Sequence, residues 1–465
     1  MFAVTIPNRL RLIYIAFFAL LHFTWTFAPF SGQADTFVVR STNDSGPGTL
    51  RQAVNDNNAL GGGNTITFSN VVVGTITLAA GELPISTDVI IIGPSSQLLT
   101  LSGNNSNRVF NINSTNAHVD VSGLTLANAT YTGGGGGFGG AVYNEGILNI
   151  SACTLSNNSS QYGAAVANGG FLTISNTLVC SNRTISGSGG GLYNNGRATI
   201  VNSTFYGNKA YQGGALDNGD TMLVTNCTLF ANEAAGGGGI YNGGTLAVRN
   251  ATIVSNNATA LFDNNGGGIY TSGTADIGST IIADNLTATN TGPDVYGGVA
   301  SAGYNLISRT NGSAGFTMLG DQFGTINSPL APLLGPLQFN GGPTPTLAPL
   351  SGSPTIDRGK TSATTDQRSR ARPADFPSLP NATNGDGSDI GAVEIWPNSP
   401  LLTISSAGAN VILSWSASDF RLQSLTNLVS SNWVNVTGTV VPANGQYYLT
   451  NPITGPEKFY RLTFP

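Results

Sequence analysis

Charged side chains are scarce in this sequence. Asp, Glu, Lys and Arg together make up 9% of the 465 residues, well below the roughly 25% that is usual for globular domains. Acidic residues outnumber basic ones by 23 to 18, which gives a formal net charge of −5. Because nucleic-acid binding depends on basic side chains that neutralise phosphates, this balance argues against a nucleic-acid partner.

Histidine and cysteine are also rare. The two histidines are His22 and His118, so metal sites that need several histidines, and Ser-His-Asp catalysis at more than one place, are excluded. We interpret His118 as a structural residue on the surface. Cys153 and Cys227 fall three repeat units apart, and Cys180 falls in a different column of the repeat described below. These separations exceed what a disulfide can bridge, so we predict three buried thiols.

The only long apolar stretch lies near the amino terminus. Arg9 and Arg11 precede an apolar run over residues 12–21, and the small residues at 32–34 suit a cleavage site. This order is typical of a secretory signal peptide. A retained membrane anchor is the alternative, but the run is shorter than the roughly 20 residues that a span needs. We therefore predict a signal peptide over residues 1–34 and a secreted or cell-surface protein with no transmembrane segment after cleavage.

One pattern of about two dozen residues recurs six times between Gly139 and Asn285, which is the signature of a repeat protein. Each copy opens with small residues followed by an aliphatic residue. These aliphatic residues are spaced by 24, 26, 24, 24 and 29 positions. Each copy also closes with an asparagine. The closing asparagines are Asn158, Asn182, Asn208, Asn232, Asn256 and Asn285.

The composition of the repeat predicts an all-β solenoid. Short runs of alternating apolar residues are broken by Gly and Asn, which tolerate the left-handed backbone of tight corners, and no helical period is present. We predict a right-handed parallel β-helix over residues 35–396, with roughly three strands per coil and about ten coils. Equivalent residues would stack about 4.8 Å apart, so the closing asparagines should form one hydrogen-bonded ladder.

The two flanks of the repeat differ from it. Residues 49–58 predict a short helix, which we expect to cap the amino-terminal end of the solenoid. Residues 328–354 are rich in proline, and arginines and acidic residues follow them. We expect this region to cap the last coil through ion pairs. Residues 399–465 contain short strand patterns without the repeat, which indicates a separate small β-sandwich.

Several motifs resemble those of exported bacterial β-helix proteins. GTLRQAV at 48–54 is similar to the CSLREAI signature found near the amino terminus of such proteins. GGAV at 139–142 and FYGN at 205–208 resemble repeats of polymorphic outer-membrane proteins, which are surface adhesins. The carboxy-terminal motifs resemble the choice-of-anchor Q family. They are NGGPT at 340–344, SPTIDRG at 353–359, TDQR at 365–368 and DIGAVE at 389–394. The resemblance implies a pectin-lyase-like β-helix that is exported.

Two groups of residues are candidates for chemistry. Asp217 and Asp220 flank one corner of the fourth copy, where they could form a glycosidase pair or hold Ca²⁺; the alternative is two solvated turn residues. Arg368, Arg370 and Arg372 could bind an anionic sugar; the alternative is a set of ion pairs within the carboxy-terminal cap. We expect no other metal or cofactor.

Two functions remain open at this point. The first is a non-catalytic extracellular or surface solenoid that binds glycans or matrix, or that serves as a scaffold or adhesin. The second is a polysaccharide lyase or glycoside hydrolase whose groove is formed by the loops at 130–138 and 258–265. The first is favoured because the repeat columns carry amides where a lyase needs charged groups.

Overall fold

The computed structural model describes residues 34–465 apart from 134–135, 262–264, 377–378, 397–401, 416–419, 427–432, 444–445, 453–457 and 464–465. The predicted signal peptide lies outside the described residues except for its last position. Among the described residues, no helix has the length and apolar character that crossing a membrane requires.

Four parallel sheets wrap around one core and confirm the β-helix. Over the described residues, sheets 1 and 2 hold eleven strands each, sheet 3 holds seven and sheet 4 holds ten, which corresponds to about eleven coils. In the repeats the chain passes through sheets 1, 2, 3 and 4 in turn before it starts the next coil. A coil therefore has four strands where three were predicted, because sheet 3 strands as short as two residues leave little periodic signal.

Sheets 1 and 2 form two long sides of the solenoid. The strands of sheet 1 are Thr36–Val39, Asn64–Phe68, Val89–Ile92, His118–Ser122, Ile147–Ser151, Phe171–Ser175, Arg197–Val201, Thr221–Thr225, Thr245–Arg249, Thr274–Gly278 and Ala300–Gly303. The strands of sheet 2 are Gly74–Thr77, Leu99–Ser102, Thr125–Ala127, Thr154–Ser156, Leu178–Cys180, Thr204–Tyr206, Thr228–Phe230, Thr252–Val254, Ile281–Ala283, Leu306–Ile307 and Gln322–Phe323.

Sheets 3 and 4 complete the cross-section. The strands of sheet 3 are Thr130–Tyr131, Ser159–Ser160, Arg183–Thr184, Lys209–Gln212, Glu233–Gly236, Asn257–Ala258 and Leu286–Thr287. The strands of sheet 4 are Leu83–Ile85, Phe110–Ile112, Val142–Asn144, Val166–Asn168, Leu192–Asn194, Leu216–Asn218, Ile240–Asn242, Ile269–Thr271, Val295–Gly298 and Ser313–Ala314.

The core is built from columns of mostly aliphatic residues, to which sheets 1, 2 and 4 all contribute. Sheet 1 contributes one column whose side chains are at most 1% exposed, and sheet 2 contributes one whose side chains are fully buried. Because like residues pair between coils, each coil buries the same positions of its strands. The sheet 1 column is Ile150, Ile174, Ile200, Val224, Val248 and Ile277, and the sheet 2 column is Leu155, Val179, Phe205, Leu229, Ile253 and Ile282.

The six closing asparagines form a single file at the corner between sheets 2 and 3. Each Nδ2 donates to the Oδ1 of the next asparagine over 2.9 Å. The last of them, Asn285, donates to Oδ1 of Asp294 over 3.0 Å. A second buried ladder follows sheet 4, where Asn144, Asn168, Asn194, Asn218 and Asn242 are linked in the same way and end on Thr271.

The corner between sheets 1 and 2 shows why asparagine recurs there. One residue in each coil adopts a left-handed backbone with φ between +49° and +51°. Asparagine tolerates this region better than most side chains do. The residues are Ala152, Asn176, Asn202, Asn226, Asn250 and Ser279.

The predicted helix is present over Leu50–Ala59. Thr49 caps it, since its hydroxyl accepts the backbone N–H of Gln52 at 3.2 Å. Leu50 and Val54 belong to the core of the solenoid. Arg51 pairs with Asp44 over 2.7 Å. The motif that resembles CSLREAI thus supplies both the apolar contact and the ion pair of this helix.

Residues 325–396, which we call the lateral layer, run along the outside of sheet 2. We expected this region to cap only the last coil. Its hydrogen bonds instead join it to several coils of the solenoid. Its apolar residues pack on the outward side chains of sheet 2, including Val254 and Ile281. The bonds include Thr204 to Pro345, Asn226 to Thr365, Asn250 to Thr361, and Ser279 to Lys360.

Two small antiparallel sheets follow the lateral layer. One contains Thr403–Ala407, Asn410–Trp415, Val441–Ala443 and Gln446–Pro452, and the other contains Arg421–Leu425, Val434–Asn435 and Phe459–Thr463. Leu413, Trp415 and Leu449 of the first sheet pack with Leu422 of the second. The change from parallel to antiparallel pairing agrees with the loss of the repeat pattern in the sequence.

The cysteines are free thiols. Cys153 and Cys227 are buried, as predicted, but the prediction of a buried thiol is wrong for Cys180, which is half-buried. Cys180 points outward from sheet 2 at the position of Ser156 and Tyr206 in the neighbouring coils. The lateral layer covers the later coils of this sheet, which leaves Cys180 partly open to solvent.

Candidate functional site

The structure gives Asp217 and Asp220 different surroundings. Asp217 lies on the outer side of sheet 4 but is only 7% exposed. Asp220 is exposed at the next corner, where it accepts a hydrogen bond from the hydroxyl of Thr221 at 3.0 Å. The two carboxylates therefore have separate partners. Throughout the described residues, no group of three or more His, Cys, Asp or Glu side chains is placed to hold a metal ion.

Asp217 interrupts a column of tyrosines on the outer surface of sheet 4. In each strand the flanking residues point into the core, so the middle residue points outward. The register places Tyr143, Ala167, Tyr193, Asp217, Tyr241, Tyr270 and Tyr296 at this middle position in consecutive coils. We call its five tyrosines the tyrosine row.

On the later side of Asp217, the rings of the tyrosine row stack on one another. The ring centroids of Tyr241 and Tyr270 are 4.6 Å apart with an angle of 13° between the rings. Those of Tyr270 and Tyr296 are 5.8 Å apart with an angle of 1°. Because the rings cover each other's faces along the solenoid axis, they present their edges and hydroxyl groups to solvent.

On the earlier side, a second aromatic group surrounds Phe138. Its ring centroid is 5.1 Å from that of Tyr162, 5.9 Å from Tyr193 and 6.3 Å from Tyr143. Phe138 and Tyr162 pair through an isolated parallel bridge just before their strands of sheet 4. The predicted groove loop at 130–138 thus ends on this aromatic group, although residues 134–135 lie outside the described part of the chain.

Between the two aromatic groups lies a polar centre formed by Ser188, Gln212 and Asp217. The Ser188 hydroxyl lies 3.3 Å from Oε1 of Gln212 and within hydrogen-bond reach of the Asp217 carboxyl group, so its single proton can go to either acceptor. Gln212 in turn contacts the hydroxyl of Tyr241. Burial raises the pKa of Asp217 to about 7, and the bond to Ser188 opposes that rise. Near neutral pH the carboxyl group can therefore either accept or donate a hydrogen bond.

Arg108 fixes the amino-terminal end of the tyrosine row. Its guanidinium pairs with Glu82 over 3.0 Å, donates to the carbonyl of Phe138 at 2.6 Å and lies 3.8 Å from the centre of the Tyr131 ring. Tyr143 donates its hydroxyl proton to Glu145. The arginine's charge is therefore paired, and its bonds to Glu82 and to the carbonyls of Phe138 and Gly139 hold the guanidinium in place.

The second predicted groove loop, at 258–265, also ends beside the tyrosine row. Asn265 is 1% exposed and donates to the carbonyl of Ala235 over 2.6 Å. Its Oδ1 atom is buried and has no hydrogen-bond partner among the described residues. Residues 262–264 of this loop are outside the described part of the chain. The two loops therefore end at opposite aromatic groups of the row.

The three predicted arginines have different roles in the lateral layer. Arg372 is fully buried and pairs with Glu394 over 2.6 Å. Arg368 pairs with Asp366 over 2.7 Å and is also buried. Arg370 is only partly buried, and its guanidinium has no hydrogen bond or ion pair with any described residue. The structural interpretation therefore fits Arg368 and Arg372, and Arg370 is left available for a ligand.

The tyrosine row was not predicted from the sequence, although the repeats carry a signal for it. Four tyrosines occupy the position after the aliphatic residue in the repeats, and Asp217 replaces the tyrosine in the fourth copy. Because the same position of each repeat faces the same side of a solenoid, these tyrosines could have been predicted to line up on one outer surface. His118, by contrast, is exposed as predicted, and its Nδ1 lies 3.8 Å from Asp88.

No known protein-family profile matches the chain, and no curated protein is significantly similar to it. The likeness of its motifs to the choice-of-anchor Q and polymorphic outer-membrane families therefore stays a prediction.

Proposed function

We propose that this protein is an exported, non-catalytic β-helix that binds a linear extracellular polysaccharide along the tyrosine row. The observation that carries the proposal is the row itself: Tyr241, Tyr270 and Tyr296 follow one another at the strand spacing of about 4.8 Å along one outer side of the solenoid. A periodic surface of this kind suits a ligand that is itself periodic.

The exposed parts of the row match the chemistry of sugars. A tyrosine combines an apolar ring with a hydroxyl group that donates and accepts hydrogen bonds. Sugar rings likewise combine apolar C–H groups with many hydroxyls. Tyr241, Tyr270 and Tyr296 are each partly exposed, and stacking holds them rigid before a ligand arrives, which lowers the entropy cost of binding.

Export is proposed from the amino-terminal sequence. Residues 1–34 have the basic start, apolar run and small-residue cleavage site of a signal peptide. The likeness to exported β-helix families supports the same destination. Outside the cell, the solenoid would serve as an adhesin or scaffold that holds polysaccharide or matrix.

A second candidate function is a polysaccharide lyase or glycoside hydrolase, and Asp217 favours it. A carboxyl group whose pKa burial raises to about 7 is suited to proton transfer near neutral pH. Ser188 lies beside this carboxyl group, between the two aromatic groups of the row. Among the described residues, however, the carboxylate does not pair with a second acid or an arginine that would complete such a site.

One experiment separates the two functions. The purified protein is incubated with a panel of neutral and acidic polysaccharides, and both retention on each polymer and release of shorter or unsaturated products are followed. Binding without product supports the proposed function. Product formation that Asp217→Asn abolishes while binding persists supports the enzyme, and no retention on any polymer contradicts both.

A further inference from the structure

A cavity of about 270 Å³ lies between the lateral layer and the small antiparallel sheets. Ser369, Arg370 and Ala371 line it from the layer, and Trp396 and Phe420 line it with aromatic rings. It is separate from the tyrosine row, which lies on sheet 4. Its volume suits a single ring-sized group, since cavities for drug-sized ligands begin at about 300 Å³.

Arg370 gives this cavity an uncompensated positive charge. Arg368 and Arg370 both lie near Asp366, but the Asp366 carboxylate receives both the Nε and the Nη2 hydrogens of Arg368, over 2.8 and 2.7 Å. Arg370 bonds Asp366 only through its backbone: its N–H donates to Oδ1 at 3.1 Å, and its carbonyl accepts the N–H of Asp366 at 2.8 Å. The local balance is thus two guanidinium groups against one carboxylate.

The surroundings also strengthen any interaction that the Arg370 guanidinium makes with an anion. Burial, and then the charge of Arg368, lower the pKa of Arg370 to about 10, so the side chain is still positively charged at neutral pH but is poorly solvated. Partial removal from water increases the attraction between opposite charges. Gly341 leaves room for the group, because a Cβ atom there would lie 2.7 Å from Nη2 of Arg370.

We propose that this cavity binds a carboxylate group carried by a ring, with Arg370 holding the carboxylate and Trp396 and Phe420 contacting the ring. A guanidinium matches a carboxylate because its planar N–H groups donate two parallel hydrogen bonds. The ring can come from an acidic sugar or from an aromatic acid, and both place an apolar surface next to the charge. This site does not depend on the tyrosine row.

The test measures binding of four small probes to the full chain by calorimetry or ligand-observed NMR. Galacturonate and benzoate carry a carboxylate on a ring, galactose carries the ring alone, and acetate carries the carboxylate alone. We expect galacturonate or benzoate to bind at least about tenfold tighter than both galactose and acetate, as a charge-assisted pair with added ring contacts would give. Tighter binding of galacturonate would identify the ring as that of an acidic sugar, and tighter binding of benzoate as that of an aromatic acid.

Three variants show whether Arg370 is responsible. Arg370→Gln should lower the affinity for the tighter-binding probe at least about tenfold. Arg370→Lys keeps the charge but not the paired N–H donors, so it should lower this affinity by less. Arg197→Gln removes an exposed arginine on sheet 1 and should leave binding unchanged. Thermal unfolding of each variant shows that the fold is intact.

Equal binding of all four probes, or unchanged binding by Arg370→Gln, would overturn the proposal. A Tyr270→Ala variant measured in parallel keeps the two sites distinct. Its affinity for the small probes should equal that of the wild type whether or not the tyrosine row binds polysaccharide.

Discussion

Asn182 and Asn208 are 26 residues apart in the chain, yet Oδ1 of Asn208 accepts both the side-chain and the backbone N–H of Asn182, at 2.9 and 3.1 Å. The Nδ2 group of Asn208 then donates to Asn232 and to the carbonyl of Val179. Each closing asparagine thus ties its coil to the next one. Such a chain of buried amide bonds is stable only while every member is satisfied.

Removing one member of this ladder should destabilise the fold. Asn208→Ala leaves the buried backbone N–H and one side-chain N–H of Asn182 unbonded and removes one donor from the carbonyl of Val179, which should lower the free energy of unfolding by about 2–4 kcal/mol. Urea unfolding followed by circular dichroism measures this loss. Asn149→Ala is the matched control, because Asn149 is exposed and its amide bonds only Asp120. Equal effects of the two substitutions would contradict the ladder's role in stability.

Asp217 should make stability depend on pH. Burial raises its pKa to about 7 in the folded protein, whereas an unfolded chain has an Asp pKa of about 3.9. The folded state therefore binds this proton more tightly, so its contribution to stability is present at low pH and is lost as the pH rises from about 4 to about 7.

Asp217→Asn removes that titration. Near pH 8 the variant should be more stable than the wild type by about 1–4 kcal/mol, and near pH 4 the two should be similar. Thermal or urea unfolding across this range provides the measurement, with Asp220→Asn at the exposed neighbouring carboxylate as the control. Parallel pH curves for the wild type and Asp217→Asn would show that Asp217 does not titrate in this way.

The arginines of the lateral layer should separate by their effect on stability. Arg372→Gln leaves the buried Glu394 carboxylate without its partner, which should cost about 3–5 kcal/mol. Arg370→Gln removes a side chain with no described partner and should change stability by less than about 0.5 kcal/mol. Urea midpoints of both variants test this difference. Similar losses would mean that Arg370 is also structural.

Gln367 should hold the lateral layer on the solenoid. Its amide accepts from the hydroxyl of Thr228 at 2.7 Å and donates to that of Thr204 at 2.8 Å. Gln367→Leu leaves the buried hydroxyl of Thr228 without its acceptor and removes a donor from Thr204, which keeps its bond to Pro345, at a cost of about 1–3 kcal/mol. Proteolysis within residues 325–396 should become at least about tenfold faster, because local opening becomes easier.

The control for this variant is Gln338→Leu, at an exposed glutamine of the same layer that bonds only Asn340. Its cleavage rate should stay at the wild-type value. If Gln367→Leu is cleaved no faster than Gln338→Leu, the contacts with Thr204 and Thr228 do not hold the layer in place.

The solenoid could be predicted from the sequence because one period of the repeat corresponds to one coil of the chain. A residue such as Asn208 recurs at one corner only if the chain returns there after each coil, and the same holds for the core column that contains Phe205. The lateral layer could not be predicted in this way. Gln367 and Thr204 are 163 residues apart, and the layer has no repeat that reports which coils it covers.

The candidate site could be predicted only in part, because its properties depend on packing that the repeat pattern does not report. The alignment of the repeats showed that Asp217 stands where other copies have tyrosine, but burial by neighbouring coils, which sets its pKa, depends on ring packing. Likewise, Arg370 and Arg372 are two positions apart in sequence, yet only Arg372 meets a buried carboxylate. Sequence spacing indicates which residue types lie near a site, while packing determines which of their side chains are already paired within the protein.

The most direct test of the account is the affinity of tyrosine-row variants for the polysaccharide that binds the wild type most tightly. Tyr270→Ala removes the central ring of a stack of three. The control, Tyr211→Ala, removes a tyrosine that is 52% exposed on sheet 3, outside the row. With both variants folded, we predict at least about tenfold weaker binding for Tyr270→Ala and wild-type affinity for Tyr211→Ala. Wild-type affinity for Tyr270→Ala, or equal losses of affinity in the two variants, would contradict binding along the tyrosine row.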